Sequence, residues 1–241
     1  MIMTVELIQG DCLEVMREME SESIDLVFTS PPYNLGNSKK GSFWHGNKGN
    51  SISYDLHDDN MDQNEYLEWQ QQIIKELYRL IKNTGAIFYN HKPRINKGQF
   101  DNRLNLIPYP IRQEIIWDRC AMINFSGSFY APNTERIFII AKKDWRPNQE
   151  YLGWGEVWRI PADINNPHPV PFPLSLAKRV VVSASNENDI VLDPFSGSAT
   201  TGIACIQNNR NYIGIELSAE YMTIAQERIR VAQMQPGLFD A

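Results

Sequence analysis

Short apolar runs alternate with amphipathic segments along the chain, and this pattern predicts alternating strands and helices. The longest amphipathic segment predicts a helix over residues 63–81, which Asn83-Thr84-Gly85 should end. Strands are predicted at 5–8, 24–28, 86–89, 114–117, 136–140, 190–192 and 212–216, and further helices at 12–19, 199–207, 219–233 and in a segment ending near 184. Such alternation indicates a largely parallel, doubly wound α/β sheet covered by helices on both faces.

Two predicted strands near the end of the chain each finish in an acidic residue. Asp193 opens the turn D-P-F-S-G-S, and Glu216 ends the next strand. Ligands of doubly wound sheets bind at the carboxyl ends of the strands, where an acid can accept hydrogen bonds from ribose hydroxyls. The turn is not GxGxxG, which disfavours a dinucleotide, and its carboxylate would attract a cation. A cationic nucleoside fits, which points to S-adenosylmethionine; an ordinary βαβ unit without a ligand is the alternative.

This late pair of strands cannot form a stable sheet alone, because a single βαβ unit cannot bury both faces of its own sheet. Strands 5–8 and 24–28 should therefore lie in the same sheet. Gly10-Asp11 would then lie on the adenine side of the cofactor. The motif T-S-P-P-Y, residues 29–33, would lie at the same rim with an exposed tyrosine ring.

Composition limits the class of protein. The 241 residues, 42% of them hydrophobic, suffice for one main α/β unit. No stretch has the roughly 20 apolar residues of a membrane helix, and the first residues lack a signal-peptide pattern, so we expect a cytoplasmic protein. Cys12, Cys120 and Cys205 show no metal-ligand or disulfide spacing.

Charge is distributed unevenly over the sequence. The net charge of −6 argues against non-specific coating of nucleic acid, but it can hide a basic cleft. Residues 36–53 form a basic segment rich in Gly, Ser and Asn, which predicts a mobile loop. Residues 92–119 are also mainly basic. The candidate DNA contacts in these two segments are Lys39, Lys40, Trp44, Lys92, Arg94 and Arg119.

Three motifs in this order resemble a known family. T-S-P-P-Y, then H-P-V-P-F-P at 168–173 and D-P-F-S-G-S-A-T-T at 193–201, are similar to the beta-class DNA amino-methyltransferases, which have a permuted motif order. The resemblance covers residues 5–92 and 158–232, with Ala199 standing where the family usually has glycine. It implies a circularly permuted, Rossmann-like methyltransferase sheet of prokaryotic or phage origin.

The same resemblance implies a division of the chain. Residues 1–92 would form the catalytic half, with the mobile basic loop at 36–53. Residues 93–158 would form a small, inserted target-recognition region, and residues 159–241 the cofactor-binding half of the same domain.

The resemblance also implies site residues. In the catalytic motif Ser30, Pro31, Pro32 and Tyr33, the Ser30 side chain and the Pro31 carbonyl would accept the two hydrogens of the target amine. Tyr33 would stack on a base flipped out of the duplex. The implied cofactor-binding residues are Asp11, Cys12, Pro171, Phe172, Asp193, Phe195, Ser196, Gly197, Ser198, Thr200, Thr201 and Glu216.

Several alternatives stay open at this stage. Cytosine N4 and adenine N6 present the same amine; serine at position 30 slightly favours cytosine within the resemblance. No cysteine follows a proline, which disfavours methylation at C5 of cytosine. RNA or protein methylation, and a catalytically silent nucleic-acid-binding module, are further alternatives. Double-stranded DNA is the expected partner, whereas a homodimer and a cognate restriction endonuclease remain open.

Overall fold

The computed structural model describes residues 3–34, 61–96, 98–120, 128–162 and 172–234. The basic loop 36–53, with Lys39, Lys40 and Trp44, and also Pro171, lie outside these residues.

Ten strands and five α-helices make up the described fold. The strands are β1 Val5–Gln9, β2 Ile24–Thr29, β3 Ile81–His91, β4 Arg94–Asn96, β5 Gln99–Asp101, β6 Gln113–Asp118, β7 Thr134–Ala141, β8 Val157–Arg159, β9 Ile190–Asp193 and β10 Asn211–Glu216. The helices are α1 Cys12–Glu18, α2 Gln63–Leu80, α3 Leu174–Ala184, α4 Thr200–Gln207 and α5 Ala219–Met234. Short 3-10 helices occupy Leu104–Leu106 and Gln149–Trp154.

Eight strands form one sheet in the order β1-β10-β9-β2-β3-β7-β6-β8. The first five run parallel, β7 is antiparallel to both of its neighbours, and β6 pairs with β8 in parallel. N-terminal β1 and β2 flank C-terminal β10 and β9. The predicted doubly wound α/β sheet, built from both ends of the chain, is therefore confirmed.

Helices cover both faces of this sheet. Leu26 and Phe28 of β2 belong to the apolar core that contains residues of α3, α4 and α5, whereas Val27 belongs to the core that contains residues of α1 and α2. Successive side chains of a strand point to opposite faces, so a strand buried on both faces must be apolar throughout. No described helix is long and apolar enough to cross a membrane.

The junction of α2 and β3 differs from the prediction. The tripeptide Asn83-Thr84-Gly85 does not end the helix: α2 ends at Leu80, and extended chain begins directly at Ile81. The tripeptide lies within β3, where a Cβ on Gly85 would come within 3.1 Å of the backbone oxygens of Ile24 and Asp25. Any side chain at position 85 would therefore require the backbone of β2 to shift by a few tenths of an ångström.

The region 93–158, predicted as a small inserted target-recognition region, contributes strands to the main sheet. It supplies β6, β7 and β8 to the main sheet, because their apolar residues continue the core beyond β3. Within the described residues of this region, only the hairpin of β4 and β5 forms a second sheet.

Candidate active site

Five neighbouring parallel strands bring polar residues to one edge of the sheet. β1, β10, β9, β2 and β3 all end there, because parallel strands have their carboxyl ends on the same side. The residues at or directly after these strand ends are Asp11, Glu216, Asp193, Ser30 and Asn90. The acids lie at β1, β10 and β9, and the S-P-P-Y segment follows β2.

Asp193 is a buried carboxylate that links the two halves of this edge. Its Oδ1 accepts hydrogen bonds from Thr29 Oγ1 (2.8 Å) and the Phe195 backbone N–H (3.1 Å), and its Oδ2 accepts one from Thr201 Oγ1 (2.8 Å). Burial nevertheless raises the pKa of Asp193 to about 6. Thr29 directly precedes Ser30, so this carboxylate ties the S-P-P-Y segment to the turn that follows β9.

Glu216 and Asp11 hold backbone N–H groups. Glu216 Oε2 accepts from the N–H of Gly197 and Oε1 from that of Ser218, both at 2.8 Å. Burial raises the pKa of Glu216. Asp11 caps α1, because its Oδ1 accepts from the N–H groups of Leu13 (2.9 Å) and Glu14 (3.1 Å).

The hydroxyl groups of the turn after β9 bind the protein itself. Ser196 Oγ lies 2.8 Å from Tyr212 Oη, and Ser198 Oγ accepts from Arg228 Nη1 at 2.6 Å. Thr200 Oγ1 lies 3.4 Å from the same guanidinium nitrogen. These hydroxyls, like that of Thr201, hold the turn in shape.

The donor set at β1, β10 and β9 fits S-adenosylmethionine. Three carboxylates suit a ligand whose sulfonium and ammonium groups are positive and whose ribose hydroxyls are donors. The turn adds Gly197, whose φ of 51° lies in the left-handed region. Cys12 begins α1 as a buried neutral thiol, since burial raises its pKa to about 12.

The aromatic residues predicted at the cofactor lie in apolar contacts. The Phe172 ring lies 4.6 Å from that of Phe28, and the Phe195 ring lies edge-on to Trp69 at 5.8 Å. Phe172 thus joins the start of α3 to β2, and Phe195 joins the turn after β9 to α2.

The tyrosine of the S-P-P-Y segment is buried, which corrects the expectation of an exposed ring. Tyr33 is 8% exposed, and its ring centroid lies 4.6 Å from that of His91 at an interplanar angle of 33°. Burial, followed by the charge of Arg103, lowers the pKa of His91 to about 3, so the imidazole is neutral at pH 7. One side of the Tyr33 ring is therefore supported by an uncharged ring.

Ser30 lies at the end of a buried hydrogen-bond network. Ser30 Oγ is 2.7 Å from Tyr33 Oη, which donates to Glu135 Oε2 at 2.9 Å. Asn90 Nδ2 donates to Tyr33 Oη and to Glu135 Oε2, both at 2.8 Å, and lies 3.2 Å from Ser30 Oγ. Arg119 Nη1 donates to Glu135 Oε1 at 2.9 Å. The network joins residues of β3 and β7 with residues that directly follow β2 and β6.

The two prolines present different carbonyl groups. The Pro32 carbonyl accepts from Tyr66 Oη at 2.9 Å and from Gln70 Nε2 at 3.4 Å, both on α2. The Pro31 carbonyl accepts no hydrogen bond from any described residue. Arg94 donates to the backbone carbonyls at 33 and 34. The segment is fixed on both sides of Pro31 while this one acceptor stays available.

Two of the basic residues predicted to contact DNA, Arg94 and Arg119, form hydrogen bonds within the protein. The guanidinium groups of Arg94 and Arg119 bind backbone carbonyls and Glu135, respectively. Lys92 is half-buried, and burial lowers the pKa of its ammonium group. The two guanidinium groups hold the S-P-P-Y segment and its network.

Sequence reasoning missed four members of the site: Thr29, Asn90, His91 and Glu135. Three of them lie at the carboxyl ends of strands. A polar residue at the carboxyl end of an otherwise apolar strand is the sequence feature that could have identified them. Glu135 lies at the opposite end of its own strand. It reaches the site because β7 runs antiparallel to β3.

A doubly wound sheet with a carboxylate-lined nucleoside site beside an S-P-P-Y segment defines an S-adenosylmethionine-dependent methyltransferase. The chain belongs to the DNA methylase family of N6-adenine and N4-cytosine amino-methyltransferases, whose model matches residues 24–227. It is accordingly an enzyme that uses S-adenosylmethionine.

Relatives and solved structures agree with this family. The chain is 30% identical to DNA adenine methyltransferase YhdJ of Escherichia coli (strain K12), over 94% of this chain and 83% of that protein. It is 29% identical to type II methyltransferase M2.MboI of Moraxella bovis, over 91% and 85%. A DNA modification methylase of Thermus thermophilus, complexed with S-adenosyl-L-methionine, has a TM-score of 0.68 at 26% identity and covers 98% and 97%. The cytosine-N4-specific PvuII DNA methyltransferase has a TM-score of 0.74 over 93% and 86%; at 20% identity this likeness concerns the fold.

Proposed function

We propose that this enzyme methylates N4 of a cytosine flipped out of double-stranded DNA. The observation that carries the proposal is the pair of acceptors after β2: Ser30 Oγ, held by Tyr33 and Asn90, and the Pro31 carbonyl, to which no described residue donates. An exocyclic amine is a poor nucleophile because its lone pair is delocalised into the ring. Two acceptors that bind both amine hydrogens favour the geometry in which the lone pair is free to attack.

S-adenosylmethionine supplies the methyl group on a positively charged sulfur. Asp11, Asp193 and Glu216 are proposed to hold it, through charge and through hydrogen bonds from the ribose. Thr29 couples these three carboxylates to Ser30, because its hydroxyl donates to Asp193 and it directly precedes Ser30. Amine and methyl group are thereby aligned, and alignment is the main requirement of a direct displacement.

Tyr33 is proposed to stack on the flipped base. Its ring is supported by His91, and its hydroxyl is fixed by Glu135 and Asn90. A rigid, uncharged platform suits a base that must be held against rotation. Removal of the base from the helical stack is needed because its amine is not accessible to the enzyme inside the duplex.

We favour cytosine slightly over adenine because position 30 carries serine, which within the family resemblance is commoner among enzymes that act on cytosine. N6 of adenine is the second candidate, and the 30% identity to a relative named as a DNA adenine methyltransferase supports it. The names of several type II relatives further support a cognate restriction endonuclease in the same cell.

Nucleoside analysis tests the proposal. DNA incubated with the enzyme and S-adenosylmethionine is digested to nucleosides and analysed by mass spectrometry. We expect N4-methylcytosine. N6-methyladenine as the sole product would overturn the choice of base and keep the rest of the site. Methyl transfer to RNA or protein with none to DNA, or cofactor binding without any transfer, would overturn the DNA substrate itself.

A further inference from the structure

Glu135 is a buried acid that the proposed reaction uses only to fix the Tyr33 hydroxyl. It is 3% exposed and lies near the start of β7. Its Oε1 accepts from Arg119 Nη1 at 2.9 Å, and this guanidinium, itself largely buried, forms an ion pair with the carboxylate. A buried carboxylate is costly to retain for stability alone. Its other oxygen faces the network that ends at Ser30.

The ionised carboxylate fixes the direction of each hydrogen bond in that network. A carboxylate only accepts, so the Asn90 atom 2.8 Å from Oε2 must be the amide nitrogen, and the Tyr33 hydroxyl must donate to Oε2. Burial, reinforced by the charge of Glu135, raises the pKa of Tyr33, so this hydroxyl keeps its proton. Because that proton is donated to Glu135, Tyr33 Oη can only accept from its other neighbours.

Ser30 is one of those neighbours, 2.7 Å from Tyr33 Oη. Its hydroxyl must therefore donate to Tyr33, since the tyrosine proton is directed at Glu135. The serine proton points into the protein as a result. The lone pairs of Oγ remain for an incoming N–H group, with Asn90 Nδ2 at the longer distance of 3.2 Å.

We propose that Glu135 is a positioning residue that makes Ser30 an obligate hydrogen-bond acceptor toward the target amine. This inference rests on the proposed function, in which Ser30 accepts an amine hydrogen. If the direction of the network were reversed, Ser30 would present its proton to the amine, and two donors would face each other. Glu135 thus acts on the reaction through Tyr33 and Ser30 without touching the base.

Glu135→Gln tests this inference because it keeps size and hydrogen-bonding capacity. The glutamine oxygen can accept from Arg119, while its NH2 group donates to Tyr33 Oη and reverses the direction of the network. We expect the single-turnover methylation rate to fall about 10²-fold, as for loss of one oriented acceptor, with S-adenosylmethionine affinity unchanged within about twofold. The matched control is Glu114→Gln. Glu114 is another glutamate of the same sheet that is paired with an arginine, Arg136 at 3.2 Å, and it lies outside the site. This control should keep the wild-type rate.

A double-mutant cycle with Ser30→Ala separates the two proposals. Ser30→Ala should itself lower the rate about 10²-fold; a wild-type rate there would overturn the proposed role of Ser30. In the Ser30→Ala background, Glu135→Gln should cause no further loss, because its effect passes through Ser30. If Glu135→Gln lowered the rate by the same factor in the Ser30→Ala background as in the wild type, the positioning role of Glu135 would be overturned. The proposed role of Ser30 would then still stand. Should Glu135→Gln not fold, Tyr33→Phe interrupts the same chain of bonds, and the same non-additivity with Ser30→Ala is expected. Additive losses there would equally overturn the inference.

Discussion

At Asp193, burial and hydrogen bonding act in opposite directions. Three donors favour the carboxylate, yet burial outweighs them and brings the pKa to about 6. The folded protein thus binds the proton more tightly than the unfolded chain, whose aspartate titrates near 3.9. The contribution of Asp193 to the free energy of unfolding therefore falls as pH rises from about 4 to 6. A cationic ligand favours the ionised form.

The first prediction concerns the pH dependence of cofactor binding. S-adenosylmethionine affinity should rise about tenfold between pH 5 and pH 7, because binding requires Asp193 to lose its proton near pH 6. Isothermal titration across this range measures the effect. Asp193→Asn should bind more weakly at pH 7 and lose most of the dependence. The same tenfold rise in Asp193→Asn would assign the effect to another group, such as Glu216.

The sequence could predict the place of some residues in the site but not of others. Ser30 and Asp193 lie in compact motifs, where residue type and strand-end position suffice. Glu135 lies more than one hundred residues from Ser30, and its place in the site depends on the antiparallel pairing of β7 with β3. Arg119 was predicted as a DNA contact from its charge, which can be read from the sequence. Its buried partner, Glu135, cannot be recognised from the sequence.

Among the elements, the turn between β9 and α4 contains a backbone conformation that glycine would adopt more readily. Ala199 precedes α4 with φ 59° and ψ 39°, in the left-handed region, and its methyl group is fully buried. That conformation costs an L-residue roughly 1–2 kcal/mol. The buried methyl group contributes about 0.8 kcal/mol in the opposite direction. Ala199→Gly would therefore remove the stabilisation from the buried methyl group and would also relieve the cost of the left-handed conformation.

The second prediction compares two alanine-to-glycine substitutions. Ala204 is equally buried but lies in the interior of α4, where glycine costs about 1 kcal/mol in helix propensity in addition to the lost methyl group. Ala199→Gly should therefore lower the free energy of unfolding by at least about 1 kcal/mol less than Ala204→Gly. Urea denaturation without cofactor measures both. Equal losses would show that the turn stores no strain at Ala199.

The limits of the elements show a similar division. The cores of strands and helices follow from hydrophobic periodicity, and α1, α4 and β10 begin and end within one residue of their predicted bounds. β3 is much longer than the predicted strand 86–89. Residues 83–85 stay extended, although the pairing of β3 with β2 is irregular there: Ile24 pairs with Ile81 and Leu26 pairs with Ala86. Local sequence could not distinguish this stretch from a loop.

For the whole molecule, the order of strands explains how distant motifs meet. The sheet places β9 between β10 and β2, so the acid of the late motif lies beside the S-P-P-Y segment of the early one. The sequence predicted this arrangement from topology alone, since neither half could cover its own sheet. It did not predict that β6, β7 and β8 extend the same sheet, because antiparallel strands between variable loops carry no comparable constraint.

The last prediction concerns how an acidic protein of net charge −6 binds DNA. Arg94 and Arg119 are bonded within the protein, and Lys39 and Lys40 of the basic segment 36–53 are further candidates for phosphate contacts. Lys39→Ala/Lys40→Ala should weaken DNA binding and reduce the slope of log affinity against log salt by about two units at most, since each phosphate contact contributes slightly under one. Lys142→Ala/Lys143→Ala is the matched control: it removes the same charge at the end of β7, on the opposite edge of the sheet. Fluorescence anisotropy with a labelled duplex over a range of salt concentrations measures both slopes. If both double variants changed the slope equally, net charge rather than contact by the loop would account for binding.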